Sequence, residues 1–132
     1  METAFRAAVI DWLRSDSELA GLINSIEEEA AVTSSSPSLA LVTSASADWS
    51  SKTSRGREVR LALELVDRSD APSETAVIVA RIEQRLATLA PAQLGFRIVT
   101  TQFLRSRAER RPRSLRAVLL EYRFRILETP TE

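Results

Sequence analysis

The sequence predicts an α+β protein in which two main α-helices cover an antiparallel β-sheet. Two segments space their apolar residues three and four apart, as a helix with one buried face does, and four segments are apolar or alternating over strand length. Their order is helix, strands, helix, strands, without the regular βαβ alternation of a doubly wound sheet. With 132 residues, 44% of them hydrophobic, the chain is sized for a single domain spanning residues 1–132.

The first predicted element is a helix from Glu2 to Ser15, with Thr3 as its N-cap. The apolar stripe of this helix is Phe5, Ala8, Val9, Trp12 and Leu13. Trp12 occupies a buried position of that stripe, so we expect it in the core. A second, short helical turn is expected from Ser17 to Gly21.

A polar break at Ser34–Pro37 precedes a predicted strand, Leu39–Ser44. The next segment, Ser44–Arg57, is rich in small polar residues, and we expect it to be the longest surface loop. It leads into a half-buried strand, Arg57–Val66, whose inward residues would be Val59, Leu61, Leu63 and Leu65.

The second main helix is predicted to begin after an N-cap at Asp70 or Ser73 and to run to about Ala90, because Pro91 stops it. Its buried stripe is Ile78, Ile82, Leu86 and Leu89. Two strands follow at Phe96–Leu104 and Arg116–Leu127. The arginine-rich segment between them is expected to be a hairpin loop.

Missing residue types exclude most enzyme chemistry. The chain has no cysteine and no histidine, so it cannot build thiolate catalysis, a Ser-His-Asp triad, a disulfide or a Cys/His zinc site. Its three glycines are too dispersed for a dinucleotide fingerprint, and its single lysine, Lys52, is not in a phosphate loop. The acidic triplet Glu27–Glu29 spreads round a helix or alternates on a strand, so it forms no carboxylate pair. We expect no enzymatic activity, no cofactor and no metal.

The first sixteen residues carry acids among their apolar positions and contain no long apolar run. They match neither a secretory signal nor a membrane span, so we expect a cytoplasmic protein when the chain is made.

Charge is distributed unevenly along the chain. The formal net charge is zero, but residues 1–54 hold three basic and eight acidic groups, residues 55–96 hold six of each, and residues 97–132 hold nine arginines and four acids. If the acidic and basic parts lie on different flanks, copies could dock head to tail and close a ring. Two independently solvated charged faces are the alternative.

The densest cationic segment contains Arg105, Arg107, Arg110, Arg111 and Arg113. Guanidinium groups grip phosphates, so non-specific DNA contact is one interpretation; a solvated loop, or one ordered by an acidic partner protein, is the other. No aromatic residue interleaves these arginines, which argues against base stacking. Trp49, in the polar loop, either anchors a partner or folds back over its own core.

Several segments in this order resemble the DUF3168 family of tailed phages, whose members are tail terminator or tail completion proteins. The segments are FRAAVIDWLRSDSELAGLI, DWSSKTSRGREVRLALELVD, ARIEQRLATL, FRIVTTQFLRSR and RAVLLEYRFRILE. The resemblance extends from about Thr3 to Glu128 and is strongest to copies in alphaproteobacterial prophages and gene transfer agents. The arginine-rich loop is longer and more basic than the resemblance leads us to expect.

The resemblance implies a curved antiparallel sheet and a ring-forming subunit, usually one of six, that caps the tail tube and joins it to the neck of the head. The partners would be other copies of the chain, the tail tube protein and a neck or head-tail connector protein, at the head-tail junction of the particle. The interface residues favoured on this basis, for contact with a subunit or the tube, are Asp48, Trp49, Lys52, Arg55 and Arg57. The arginines between residues 105 and 113 are favoured for contact with the tube, the neck or DNA in the lumen.

Two alternatives remain open at the level of the sequence. One is a neck or head-tail connector subunit, which would bind the portal side instead of tube ends. The other is a small non-specific nucleic-acid-binding module that uses the segment from Arg105 to Arg113.

Overall fold

The computed structural model describes residues 1–29 and 35–130, and it confirms the α+β class. The helices are α1 (Glu2–Arg14), α2 (Ser17–Leu22) and α3 (Pro72–Ala87). The strands are β1 (Ser25–Glu27), β2 (Ser38–Asp48), β3 (Gly56–Arg68), β4 (Ala92–Gln93), β5 (Phe96–Arg111) and β6 (Leu115–Glu128). The first residue of the predicted polar break, residue 34, lies outside the described residues.

All six strands form one curled sheet in the order β1-β2-β3-β6-β5-β4. The long strands pair antiparallel, as the sequence predicts, and β4 also pairs antiparallel with β5. The sheet is nevertheless mixed, because β1 pairs parallel with the start of β2. Neither β1 nor β4 was expected, since three and two residues are too short to show a period.

The core lies between one face of this sheet and helices α1 and α3. The predicted inward residues of β3 are buried, as is the predicted stripe of the second main helix. The inward residues of β6 are Val118, Leu120, Tyr122, Phe124 and Ile126. Phe5 of α1 stands at the centre, with its ring centroid 4.8 Å from that of Phe124 and 6.3 Å from that of Phe96. Burial of each large apolar side chain contributes about 1.5–3 kcal/mol, so this face supplies most of the stability.

Trp12 differs from its prediction, because it is half-buried at the edge of the core. Its indole Nε1 donates a 2.7 Å hydrogen bond to the carbonyl oxygen of Arg85 on α3. The Arg85 guanidinium carbon lies 3.5 Å from the centre of the indole ring. A buried indole N–H needs a hydrogen-bond partner. The Arg85 carbonyl provides it at the margin between α1 and α3, whereas the apolar interior offers no acceptor.

The helix starts also differ from their predictions. Met1, not Thr3, occupies the N-cap of α1, and Ala71 rather than Asp70 or Ser73 occupies that of α3. Neither cap residue makes a side-chain cap hydrogen bond. At α3, the buried Asp67 carboxylate accepts a 2.7 Å hydrogen bond from the Thr75 hydroxyl, which ties the first turn to the end of β3.

Two segments predicted as loops are largely strand. β2 continues through residues 44–48, and the connection to β3 shrinks to residues 49–55. β5 continues to Arg111, so only residues 112–114 form the hairpin turn. These extensions contain no apolar alternation; their backbones pair with β3 and β6, whose edges would otherwise leave N–H and C=O groups without partners.

No helix in the described part of the chain is long and apolar enough to cross a lipid bilayer.

Candidate interaction surface

The sheet face opposite the helices is broad and highly charged, and we call it the open face. Register with the inward residues places twelve charged side chains of β3, β5 and β6 on it. They are Glu58, Arg60, Glu64, Arg68, Arg97, Arg105, Arg107, Glu109, Arg111, Glu121, Arg123 and Arg125. Eight are basic and four acidic, so the face carries a positive excess.

Arginine–glutamate pairs cross this face from strand to strand. Arg111 Nη2 lies 2.9 Å from Glu64 Oε2 and 2.6 Å from Glu109 Oε1. Arg105 pairs with Glu121 on the neighbouring strand, and hydrogen bonds from Arg105 lower the pKa of the Glu121 carboxyl. Exposed pairs of this kind contribute about 0–1 kcal/mol each, so their main effect is to neutralise charge.

The arginine-rich segment is therefore an edge strand, and the expectation of a hairpin loop from Arg105 to Arg113 is wrong. Alternation along β5 places Arg105, Arg107 and Arg111 on the open face and Arg110 on the helix side. Arg113 lies in the turn, where its φ of 65° and the Ser114 φ of 58° are left-handed conformations. The segment thus presents its charges in three directions instead of as one cluster.

The five residues favoured from the β2–β3 region do come together, although Asp48 and Arg57 lie in strands rather than in a loop. These two pair with each other, since Arg57 Nη1 lies 3.0 Å from Asp48 Oδ1. Lys52 and Arg55 are exposed, with the Arg55 side chain 76% accessible. Arg55 Nε lies 3.9 Å from Glu128 Oε2. Within the described chain, Lys52 is therefore the one of the two that makes no ion pair.

Trp49 is half-buried at the start of the turn and is not part of the hydrophobic core. The Arg125 guanidinium carbon lies 5.4 Å from the centre of the indole ring. The Trp49 backbone closes the turn by donating a 3.0 Å hydrogen bond to the Gly56 carbonyl. At Gly56 an added Cβ would lie 2.6 Å from the Trp49 carbonyl oxygen, so this close approach requires glycine.

The β2–β3 turn and the arginine turn lie at opposite ends of the sheet. The row that pairs Gly56 with Leu127 borders the first, and the row that pairs Arg68 with Leu115 borders the second. Twelve residues of strand separate these rows, or roughly 40 Å along the strand. Arg105 is level with Ala62, halfway between them. One compact partner would not reach both turns, so the turns would serve different contacts.

Sequence reasoning missed the two sheet edges. The outer edge of β2 from Val42 to Asp48 and that of β5 from Val99 to Arg111 pair with no other strand of the described chain. A signal was present at β2, because Leu39–Ala47 contains no charged residue, whereas natural proteins usually protect free edges with charge. Within the described ranges, no group of three or more acidic side chains is arranged to hold a metal ion.

Comparison with known proteins places this geometry in context. The model of a protein family described as "Tail completion protein gp17" matches residues 7–127. The fold is similar to a chain in a structure described as "Virion of native gene transfer agent (GTA) particle", with a TM-score of 0.78 and 24% sequence identity over 96% of each chain. No curated protein matches the sequence.

Proposed function

Because this chain belongs to the family of tail completion protein gp17, we propose that it is a structural subunit that completes the tail of a phage-like particle. In this role several copies, six by the resemblance above, form a ring that caps the tail tube and joins it to the neck. The observation that carries the proposal is the match of the family model over residues 7–127, nearly the whole domain.

The surface supports a role based on contact rather than catalysis. A subunit of a ring needs two different flanks, one for each neighbour, and further surfaces for the tube and the neck. Among residues 1–29 and 35–130, the fold offers two strand edges without a partner strand, on opposite sides, and charged turns at opposite ends. The sheet therefore has separate places for subunit contacts and for axial partners.

The residues at the β2–β3 turn are proposed contacts with a neighbouring subunit or the tail tube. Lys52 and Arg55 would supply exposed positive charge, and the half-buried Trp49 ring would supply apolar area between them. Asp48 and Arg57 would act through the ion pair that holds the two strand ends together.

The opposite end of the sheet is a proposed contact with the tube, the neck or DNA in the lumen. In the described chain, Arg107, Arg110 and Arg113 make no ion pair, whereas Arg105 and Arg111 are neutralised by glutamates. Three free arginines give a weak non-specific phosphate site. This favours contact with DNA as a secondary feature of a lumen over a dedicated nucleic-acid-binding module.

The role predicts where the protein resides: in the cytoplasm during assembly and afterwards in the particle at the head-tail junction. Deleting the gene in a particle-producing host is the direct test. We expect tails of uncontrolled length or tails without heads in electron micrographs, and rescue by the gene in trans. Particles of normal tail length and full infectivity or transfer activity in the deletion strain would contradict the proposal.

A second assay separates a tail terminator from a neck connector. The purified protein is mixed with assembled tail tubes and, separately, with portal assemblies, and the products are viewed by negative-stain microscopy. A terminator binds tube ends and prevents further growth when more tube protein is added. Binding to the portal alone would assign the chain to the neck instead.

A further inference from the structure

Within the described residues, the two free edges of the sheet are exposed at the same height, where height means position along the strands as given by the rows of paired residues. β1 covers only Ser38–Ala40 at the start of β2, and β4 covers only Phe96 and Arg97 at the start of β5. Three rows across the sheet establish the relative heights: Thr43, Ala62, Glu121 and Arg105; Ala45, Arg60, Arg123 and Gln102; and Asp48, Arg57, Ile126 and Ile98. The free part of β2 is therefore level with residues 98–105 of β5.

The rows in which the free part of β2 is level with residues 98–105 of β5 form a common window. The short strand β1 borders this window at one end, and β4 borders it at the other. β1 sits in the rows that contain residues 107–109 of β5, whereas β4 pairs below the last residue of β2. Neither short strand occupies the rows in which the free part of β2 is level with residues 98–105 of β5. Two copies placed side by side at the same height would thus meet along unpaired backbone, with no strand between them.

The side chains of both edges fit burial better than exposure. Four of the large apolar side chains that are exposed belong to them: Val42 (39%), Val99 (45%), Phe103 (45%) and Leu104 (37%). On β2 the neighbours of Val42 are small and uncharged as far as Ala47. A long free edge without charge is a template for pairing with another strand.

Charge at the end of the window points to a second copy as the occupant. The row through β1 and β5 contains Glu27, Ala40, Glu64, Leu119 and Arg107. In a neighbour at the same height, Arg107 would lie just beyond Glu27, which already pairs with Arg14, and beyond the exposed Glu29. The basic edge of one copy would therefore face the acidic border of the next.

We propose that Val42–Asp48 of one copy pairs antiparallel with Val99–Arg105 of the next copy, so that one sheet continues from subunit to subunit. This inference rests on the proposed ring. Within one sheet β2 and β5 run in opposite directions, and rotation about a ring axis preserves each strand's direction along that axis. If the sheet of one copy continues into the next with the same face outward, β2 and the neighbour's β5 therefore pair antiparallel. This head-to-tail contact repeats from copy to copy and closes into a ring.

Cysteine pairs test this contact because the chain has no cysteine of its own. Ala45→Cys is combined in turn with Thr100→Cys, Gln102→Cys or Arg105→Cys, which share the open face of β5. Opposite residues of an antiparallel pair lie about 4.5–5.5 Å apart at their Cα atoms, within the range of a disulfide. Each variant replaces the natural gene in a particle-producing host, and isolated tails are oxidised and run on a non-reducing gel.

We expect one double variant, with Gln102→Cys as the first choice, to give a ladder of covalent multimers that reaches the full ring. Each single variant should stay monomeric, as should Ala45→Cys combined with the remote, exposed Ser73→Cys on α3. Tails that contain the chain but show no ladder from any of the three pairs would overturn the edge pairing. Dimers from Ala45→Cys alone would overturn it too, because they would show β2 pairing with β2.

The outcome is separate from that of the proposed function. Tail length and particle yield in the same strains report whether the chain completes tails, and the gel reports only which strands meet. If the chain is absent from normal tails, the proposed function fails. If it is present but does not cross-link through these edges, the proposed function stands and the strand pairing fails.

Discussion

Asp16 joins two helices by serving both at once. Its carboxylate accepts a 3.1 Å hydrogen bond from the Leu19 backbone, which caps α2, and it receives Arg81 Nε of α3 at 2.8 Å. The side chain is 7% accessible, and the Arg81 side chain 28%. One carboxylate thus stabilises the start of α2 and holds α3 beside it.

The pH dependence of stability should report this contact. Hydrogen bonding by Arg81 and by the Leu19 backbone lowers the pKa of Asp16 from 3.8 to about 2. A depressed pKa in the folded state means that the stabilisation is complete above the ordinary value of 3.8 and is lost as the pH falls towards 2. Urea unfolding at pH 2 to 5 should show that the natural protein loses stability across this window.

Asp16→Asn is the matched variant, because an amide oxygen can still cap Leu19 but carries no charge. Its extra loss of stability at neutral pH should largely vanish near pH 2. Asp16→Ala also removes the cap and should cost about 1 kcal/mol more than Asp16→Asn. An equal pH dependence for the natural protein and Asp16→Asn would contradict this role of the carboxylate.

Two glycines should respond oppositely to alanine. Gly56→Ala places a Cβ 2.6 Å from the Trp49 carbonyl oxygen and 2.8 Å from the Leu127 side chain, and the backbone atom cannot move without opening the turn. We expect a loss of about 2 kcal/mol or more, typical of overpacking. Thermal unfolding followed by circular dichroism measures it.

Gly21→Ala is the control for that substitution. Nothing lies within 4 Å of the added Cβ, and the residue is within α2. Alanine is the better helix former by about 0.5–1 kcal/mol, so this variant should melt at or above the temperature of the natural protein. Similar losses in both variants would show that the clash at Gly56 is not the cause.

The contact between Trp12 and Arg85 should contribute to stability through two separable parts. Trp12→Phe removes the 2.7 Å hydrogen bond to the Arg85 carbonyl but keeps an aromatic ring beneath the guanidinium. Arg85→Lys removes the planar group and its 2.9 Å hydrogen bond to the Trp12 carbonyl. Each should cost about 1 kcal/mol in urea unfolding.

The double variant is the check on this contact. Because each side chain hydrogen-bonds the other residue's carbonyl and the two stack, their effects should be less than additive. Strict additivity would mean that the two residues act independently.

The sequence predicted the core because burial imposes a period. Val59 and Leu61, or Phe124 and Ile126, recur every second residue, since alternate side chains of a half-buried strand share a face. The same logic placed Ile78 and Ile82 on the inner stripe of α3. On α1 the pattern placed Phe5, Val9 and Leu13 but not Trp12, which lies at the margin of the stripe.

The strand ends could not be predicted in this way. Residues 44–48 and 105–111 are held by backbone pairing to β3 and β6, and backbone groups carry no sequence signal. Their composition of serine, alanine and arginine is typical of loops. How far β2 and β5 extend follows from the lengths of β3 and β6, because those strands need backbone partners over their full span.

The sequence predicted which residues lie together at the β2–β3 turn but not the electrostatics of the sheet. The five residues around that turn lie close in space because they are close in the sequence. The neutralisation of Arg111 by Glu64 joins residues 47 positions apart. Which arginines stay free depends on strand register, and the sequence alone does not give that register.

The free arginines lead to a prediction about DNA. If Arg107, Arg110 and Arg113 are the groups in this segment available to phosphates, binding of short duplex DNA should depend on salt with a slope of at most about 3 in a log–log plot, close to 0.9 per phosphate contact. Fluorescence anisotropy between 25 and about 200 mM salt measures that slope. Replacing all three by alanine should abolish binding, whereas Arg105→Ala, which removes an arginine already paired with Glu121, should change it little. A slope of about 4.5, which five arginines would give at about 0.9 each, or equal losses from Arg105→Ala and from the triple variant, would show that the ion pairs open on DNA and that the whole segment acts as one phosphate-binding site.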